Sequence, residues 1–430
     1  MRNVFSSWDI RPVCTLGGLG LAISLMFTTG IARAEGKGAA ESAVTPAAKR
    51  TVTLAGCIEI ALGRQPSLAA SRATLAAAET QLRALNNIPG RGLLIARDLP
   101  IRRRQASLGI AAAEGLLTQT EHETMYAVQR TYYSIVYANL QLKVADDVVA
   151  NLRFYQERVS EAVKKGQSRE WTTNTVDKIT VYLGLAETKR AEAQRGVELA
   201  TAALREAMGV GCDFGLTPAD TALPFISVMP NRHQIIDLAL CRRGELTRVG
   251  VAADVTGLEI DAQSRSFRPK AITYAAVADV HATLIPAGTS DGEYRPGALP
   301  PEMPTTLVGR RSDRMERARD FSDRAAAVID KTRNLITLEA TDAYLRWKET
   351  SDKVARTRDA ATAGGRLAAN TREDFRSDQK VKIEDVLTNE VLAGQARSSA
   401  NEALYQNVLA LAALERVTAG GFPSGLGARK

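Results

Sequence analysis

Few residues in this 430-residue chain are of a kind and spacing that does chemistry. Its histidines are His122, His233 and His281. The one acidic–histidine cluster is Glu121-His122-Glu123. Helix neighbours at i, i+1 and i+2 do not face one another, so this triplet does not close on a metal. Asp146-Asp147 has the composition of a general acid–base pair but lies in helical, charge-mixed sequence, where a solvated face is the plainer reading. The four cysteines, Cys14, Cys57, Cys212 and Cys241, contain no CxxC pair, and Cys57 and Cys241 read as buried free thiols. No phosphate loop, dinucleotide fingerprint or nucleophile elbow is present. The expectation is a protein with no catalytic residue, cofactor or metal, and so no enzyme.

The elements around these residues point to long helices. Aromatic residues make up only 5% of the chain while alanine is abundant. Small apolar residues at helical spacing suit helices that pack closely along their length rather than around a large compact core. The net charge is +8. Lysine and arginine are interleaved with acidic residues, the pattern of solvated helix faces and not of a nucleic-acid surface.

Residues 1–34 read as a secretory signal. Arg2 and Arg11 give the positive start, Leu16 to Ile31 the apolar stretch, and Ala32-Arg33-Ala34 the small-x-small cleavage pattern before Glu35. No later stretch approaches 18 apolar residues, so a mature chain that crosses a membrane must do so as a β-barrel. Residues 35–52 read as a flexible N-terminus.

The chain is then written twice. The run starting TLAGCIEIALGRQPSL at Thr53 matches RHQIIDLALCRRGEL starting at Arg232: Ile58 falls with Ile236, Glu59 with Asp237, Ala61 with Ala239, Leu62 with Leu240, Arg64 with Arg242 and Leu68 with Leu246. A repeat of this length means two copies of one supersecondary unit. We read residues 53–209 as the first helical repeat, 210–231 as a Gly- and Pro-rich linker, 232–419 as the second repeat and 420–430 as a disordered tail.

Each copy has a short helix, an irregular or strand-like section, a very long helix, a break and a return helix. The long helices span about Leu108 to Lys165 and Ser312 to Phe375, and the return helices Thr173 to Met208 and Ile383 to Thr418. In the first long helix Val128, Tyr132, Ile135, Leu142 and Val149 form one apolar stripe. A second stripe runs through Val136, Leu140, Val144, Val148, Leu152, Tyr155, Val159 and Val163, and two stripes suit a helix with neighbours on two sides. Gly166, Gln167, Ser168 and Arg169 form one break, and Ser377, Asp378 and Gln379 the other. They read either as plain tight turns or as exposed docking tips.

The strand-like section of the second copy, 268–311, holds KAITYAAVADVHATLI. Ile272, Tyr274, Ala276, Val280 and Leu284 share its apolar face, the alternation of a barrel strand, and residues 305–309 suit a short partner. The matching section of the first copy, residues 88–107, has room for two very short strands at most. It carries Arg102-Arg103-Arg104, which is placed at a membrane–periplasm boundary or on a continuation of the long helix.

ALGRQPSL, the Arg130-Thr131-Tyr132-Tyr133 segment and the alanine-rich return helices resemble the outer-membrane efflux (TolC-like) family over nearly the whole mature chain. The resemblance implies a mainly α fold. Two repeated long antiparallel helical hairpins form a coiled-coil tunnel, with a short β section as the share of a trimeric β-barrel whose first strand pair is truncated here. It further implies an outer-membrane channel with a periplasmic helical part, giving passive exit to solutes loaded by an inner-membrane pump. The expected partners are two further copies in a homotrimer and a periplasmic adaptor (membrane fusion) protein at the tips. The alternative is a periplasmic helical scaffold or adaptor of the same family that has lost the barrel.

Overall fold

A computed structural model of the chain describes residues 50–89, 96–166, 171–266, 270–272, 306–377 and 382–426, all within one compact unit, Pro46–Lys430. The elements in chain order are β1 (Arg50–Val52), α1 (Leu54–Arg64), α2 (Pro66–Asn86), α3 (Leu99–Lys164), α4 (Thr173–Ala207), β2 (Leu216–Pro218), α5 (Arg232–Arg242), α6 (Gly244–Arg265), β3 (Lys270–Ile272), β4 (Thr306–Val308), α7 (Arg311–Arg376) and α8 (Ile383–Val417).

The two repeats correspond helix by helix. The opening helices α1 and α5 are 11 residues each, α3 and α7 are 66, and α4 and α8 are 35. The opening helices start on side-chain caps that satisfy first-turn N–H groups. The Thr53 hydroxyl accepts from the Gly56 N–H at 3.2 Å, and the Asn231 side-chain oxygen accepts from the His233 N–H at 2.9 Å. Both helices end on one extended residue, Gln65 (φ −64°, ψ 123°) and Arg243 (φ −72°, ψ 130°). In the first repeat the cause is local, because Pro66 disfavours helical backbone in the residue before it. In the second repeat Gly244 follows the bend. There Arg243 is buried and ion-paired to Glu245 and to Glu339 of α7, so a tertiary charge cluster accompanies the bend that proline enforces in the first copy.

At 1.5 Å per residue α3 and α7 each extend about 100 Å. The long helices form a row in the order α4, α3, α8, α7, each antiparallel to its neighbour. Polar pairs fix the register. Between α3 and α4, Arg190 meets Asp146 at 2.5 Å and Gln156 donates to Thr180 at 2.9 Å. Between α3 and α8, Ser134 meets Tyr405 at 2.6 Å, Ser398 donates to Gln141 at 2.8 Å and Arg397 pairs with Asp147 at 3.0 Å. Between α7 and α8, Asn407 donates to Ser351 at 3.1 Å and Asn389 to Thr371 at 3.0 Å.

The largest core lies where α1 crosses the middle of α3, with Leu54, Cys57, Val128, Tyr132, Ile135, Leu204, Met208, Val408 and Leu411. The second stripe read along α3 contributes Val136 and Leu140 to this core and Leu152, Tyr155 and Val159 to a second one near the far end of the helix, where they meet Ile179.

Several expectations are corrected. The helix α3 begins at Leu99, not near Leu108, with Pro100 in its first turn, where a missing N–H costs no helical bond. Arg102, Arg103 and Arg104 therefore stand on a continuing helix, and no strand occurs among the described residues of 88–107. Arg50–Val52, read as part of a flexible terminus, is β1 and pairs in parallel with β2 in the linker. The beginning of the tail is packed, since Leu426 is buried and the Ser424 hydroxyl bonds to Glu415 at 2.5 Å. Cys57 is buried as expected, but Cys241 is exposed. Strand β3 pairs antiparallel with β4, Ile272 opposite Thr306. Tyr274, Ala276, Val280 and Leu284 lie outside the described residues.

Candidate functional site: the two ends of the helical row

Two regions gather the residues singled out from the sequence. The first is where the hairpins turn. Helix α3 ends at Lys164, and Gly166 follows with φ +65°, a left-handed turn that glycine adopts without steric cost. Ser377 caps α7, its hydroxyl donating to the Glu373 carbonyl at 3.0 Å. Gln167, Ser168 and Arg169 of the first break, and Asp378 and Gln379 of the second, lie outside the described residues.

Of the residues that bring the two turns together, only Tyr155, on the second apolar stripe of α3, is singled out in the sequence. Trp171, before α4, stacks on Phe375 of α7 with ring centroids 5.7 Å apart and 26° between planes. Phe375 meets Tyr155 edge-on at 5.3 Å, and the Arg158 guanidinium lies 5.9 Å from the Phe375 centroid. Lys178 of α4 pairs with Glu384 of α8 at 3.0 Å. An aromatic residue flanking each break was the available signal: Trp171 stands after the first and Phe375 before the second.

Behind this cluster Glu390 of α8 is fully buried. It accepts from Tyr155 at 3.0 Å, from Arg372 at 2.6 Å and from Asn151 at 3.0 Å. Burial, reinforced by the Glu390 charge, pushes the Tyr155 hydroxyl up to about 12. One carboxylate thus ties α3, α7 and α8, with its charge matched by one guanidinium.

The second region is the opposite end, where the strand section joins the helices. Arg314 of α7 is buried. It donates to the Gly309 carbonyl at 2.8 Å, to the Ser266 carbonyl at 2.9 Å and to Gln263 of α6 at 2.8 Å. Ser266 follows α6 and Gly309 follows β4, so a single side chain fixes both ends of the chain segment between them. Arg102 of α3 is also buried. It ion-pairs with Glu259 of α6, whose carboxylate also accepts from Gln105 at 3.0 Å and from Gln263 at 2.6 Å. Arg102 and Arg314 each sit on the fourth residue of their helices. Both repeats therefore send the same buried guanidinium toward α6.

Between the two ends, Glu339 of α7 joins Arg243 and Arg416. Burial acts to raise its carboxyl, but the two guanidiniums prevail and hold it below the usual carboxylate range. Among the described residues no group of three or more His, Cys, Asp or Glu side chains is placed to hold a metal ion. Among them also, no helix is long and apolar enough to cross a membrane.

No protein-family model matches the sequence, and no curated protein matches it. Solved structures match its fold. The MtrE outer membrane channel of Neisseria gonorrhoeae superposes with a TM-score of 0.66 at 15% identity, over 86% of this chain and 89% of that one. For VceC, an outer membrane protein of Vibrio cholerae, the TM-score is 0.64 at 15% identity, over 86% and 96% of the two chains. For the CmeC outer membrane channel of Campylobacter jejuni it is 0.64 at 12% identity, over 93% and 95%. The resemblance read from the sequence holds at the level of the fold: the chain is mainly α and has the two-hairpin architecture of these outer-membrane channels.

Proposed function

We propose that this chain is the channel component of an outer-membrane efflux conduit, assembling as a homotrimer and receiving solutes from an inner-membrane pump through a periplasmic adaptor. In this reading it performs no chemistry. The observation that carries the proposal is the pair of helices at the ends of the four-helix row. The helix α4 exposes Val181 (62%), Leu185 (50%) and Leu199 (50%), and α7 exposes Leu338 (44%), Leu345 (52%) and Leu367 (42%). Apolar side chains on both outermost helices suit a head-to-tail contact, α4 of one copy against α7 of the next. Such a contact continues until a ring closes.

The test is light scattering in mild detergent on the intact chain and on Leu185→Glu and Leu345→Glu variants. A trimer that each substitution dissociates supports the reading. A stable monomer at micromolar concentration overturns it.

A second reading, a periplasmic scaffold without a barrel, is favoured by one specific observation. Only residues 87–98 separate α2 from α3, while each membrane-spanning strand takes about 9–11 residues. The first repeat has no room for a spanning hairpin. Three copies of one strand pair also fall short of the roughly eight strands at which side chains already fill a barrel. Planar-bilayer conductance decides between the readings. Detergent-dependent extraction with single-channel steps supports the channel. Release by salt alone, with no conductance, supports the scaffold.

A further inference from the structure

Where the strand section meets the helices, the cations fall into two kinds. Those with structural work are held by partners: Arg102 by Glu259 and Asp98, Arg314 by two carbonyls and Gln263, and Arg103 by the Leu85 and Ile88 carbonyls at 3.1 and 3.0 Å, at the C-terminal end of α2. The second kind is exposed. Arg104 on α3, Arg265 in the last turn of α6 and Arg310 just before α7 all face solvent. Among the described residues none of these three has a carboxylate within ion-pair distance. Arg97 and Arg311 are also exposed at this end.

The same contacts bring Arg265 and Arg310 near each other and place Arg104 at the same end. Arg265 and Arg310 each adjoin one of the two carbonyls that Arg314 pins, Ser266 and Gly309. Arg104 is two residues from Arg102, which is anchored on α6. Of the acidic residues of this end, Asp261 and Glu316 are exposed, and three others are engaged. Asp98 holds Arg102, Glu259 is buried in its network, and Asp313 accepts from the Arg310 N–H at 3.1 Å and from Ser312 at 3.0 Å.

We propose that Arg104, Arg265 and Arg310 form a cationic collar that binds the phosphate groups of anionic phospholipids where the helices meet the bilayer. The inference rests on the reading that the strand-bearing end is seated in the outer membrane. Guanidinium is suited to the task because its planar fork takes a phosphate through two parallel hydrogen bonds and keeps its charge at any physiological pH. An anionic bilayer surface fits better than a soluble acidic partner because the collar adjoins β3 and β4, the only described strands outside the β1–β2 pair. Basic residues beside a membrane segment gain about 1 kcal/mol each from an anionic surface, close to a fivefold change in affinity.

The test is native mass spectrometry of the intact chain in neutral detergent, titrated with phosphatidylglycerol or with phosphatidylcholine. The expected result is at least tenfold tighter retention of phosphatidylglycerol, falling about fivefold with each of Arg104→Gln, Arg265→Gln and Arg310→Gln and weakening with added salt. These three side chains are exposed, so the variants should melt as the parent does; Arg104→Lys, which keeps the charge but loses the fork, should bind between the parent and Arg104→Gln. Equal retention of the two lipids, or a triple variant that binds like the parent, overturns the collar and leaves membrane seating standing. Retention of neither lipid, together with release from membranes by salt alone, overturns both.

Discussion

Gly209 and Ala419 hold the same place in the two repeats, each two residues beyond the last residue of its return helix, Ala207 and Val417. Both are left-handed, with φ +65° and +45°, and Ala419 is the one non-glycine residue with positive φ among the described residues. A Cβ costs about 1 kcal/mol in this conformation. We therefore predict that Ala419→Gly stabilises the chain by about 0.5–1 kcal/mol, less than the full strain because glycine also loosens the unfolded state. Gly209→Ala should be worse than neutral, because its Cβ would come within 2.8 Å of the Arg64 carbonyl oxygen and 2.9 Å of the Gln65 Cα. Urea unfolding of both variants checks the pair, and a destabilised Ala419→Gly would contradict the strain argument.

The crossing of α3 and α6 depends on two glycines. A Cβ at Gly244 would lie 2.1 Å from the Gly115 carbonyl oxygen, and one at Gly115 would lie 3.1 Å from the Gly244 carbonyl oxygen. Both obstacles are backbone, which a rotamer change cannot relieve. Gly244→Ala should therefore cost about 3 kcal/mol or more, the upper range for overpacking, and Gly115→Ala less. Thermal melts of the two variants should preserve that order.

Much of this architecture is legible in the sequence because its causes are local. The return helices are legible to within a residue of Thr173–Ala207 and Ile383–Val417, since a Gly- or Ser-bearing break precedes each and long apolar periodicity runs through it. The start of α3 was not legible. Its first turns contain Pro100 and three consecutive arginines, which read as an interruption. Arg102 is helical and buried because Glu259, 157 residues away, takes its charge. The same reason hides the packed tail, where Ser424 answers to Glu415, and the tip cluster, where Trp171 and Phe375 belong to different repeats. The exposure of Cys241 is not legible, because an apolar helix register does not say which face a neighbour will cover.

Thiol chemistry offers a check on the central core. Cys57 is buried in it, and burial pushes the thiol up to about 11. A raised thiol keeps its proton: near pH 8 only about one molecule in a thousand carries the Cys57 thiolate, and that fraction grows only as pH approaches 11. Cys212 and Cys241 are exposed. In the folded chain beginning at Glu35, a maleimide at neutral pH should label these two quickly, and Cys57 only after denaturation. Rapid labelling of a third thiol in the folded state would show that the core around Val128 and Tyr132 opens readily.

The last prediction concerns the hairpin turns. Trp171 belongs to the first hairpin and Phe375 to the second, and their stacked rings are a direct tie between the two turns. A stacked pair contributes about 0.5–1.5 kcal/mol beyond the area it buries. That is small against the stability of a chain with four helices of this length, but it sets how one turn sits relative to the other. If both turns contact one periplasmic adaptor, their spacing matters more to docking than to folding. Trp171→Ala should then weaken adaptor capture about tenfold while shifting the melt only slightly, and Trp171→Phe should restore most of the capture because it retains a ring to stack. Charge reversal at the breaks, Arg169→Glu or Asp378→Lys, should weaken capture further without changing the melt. Retained capture in all four variants, with melts unchanged, would leave Gly166 and Ser377 with no role beyond letting the chain turn.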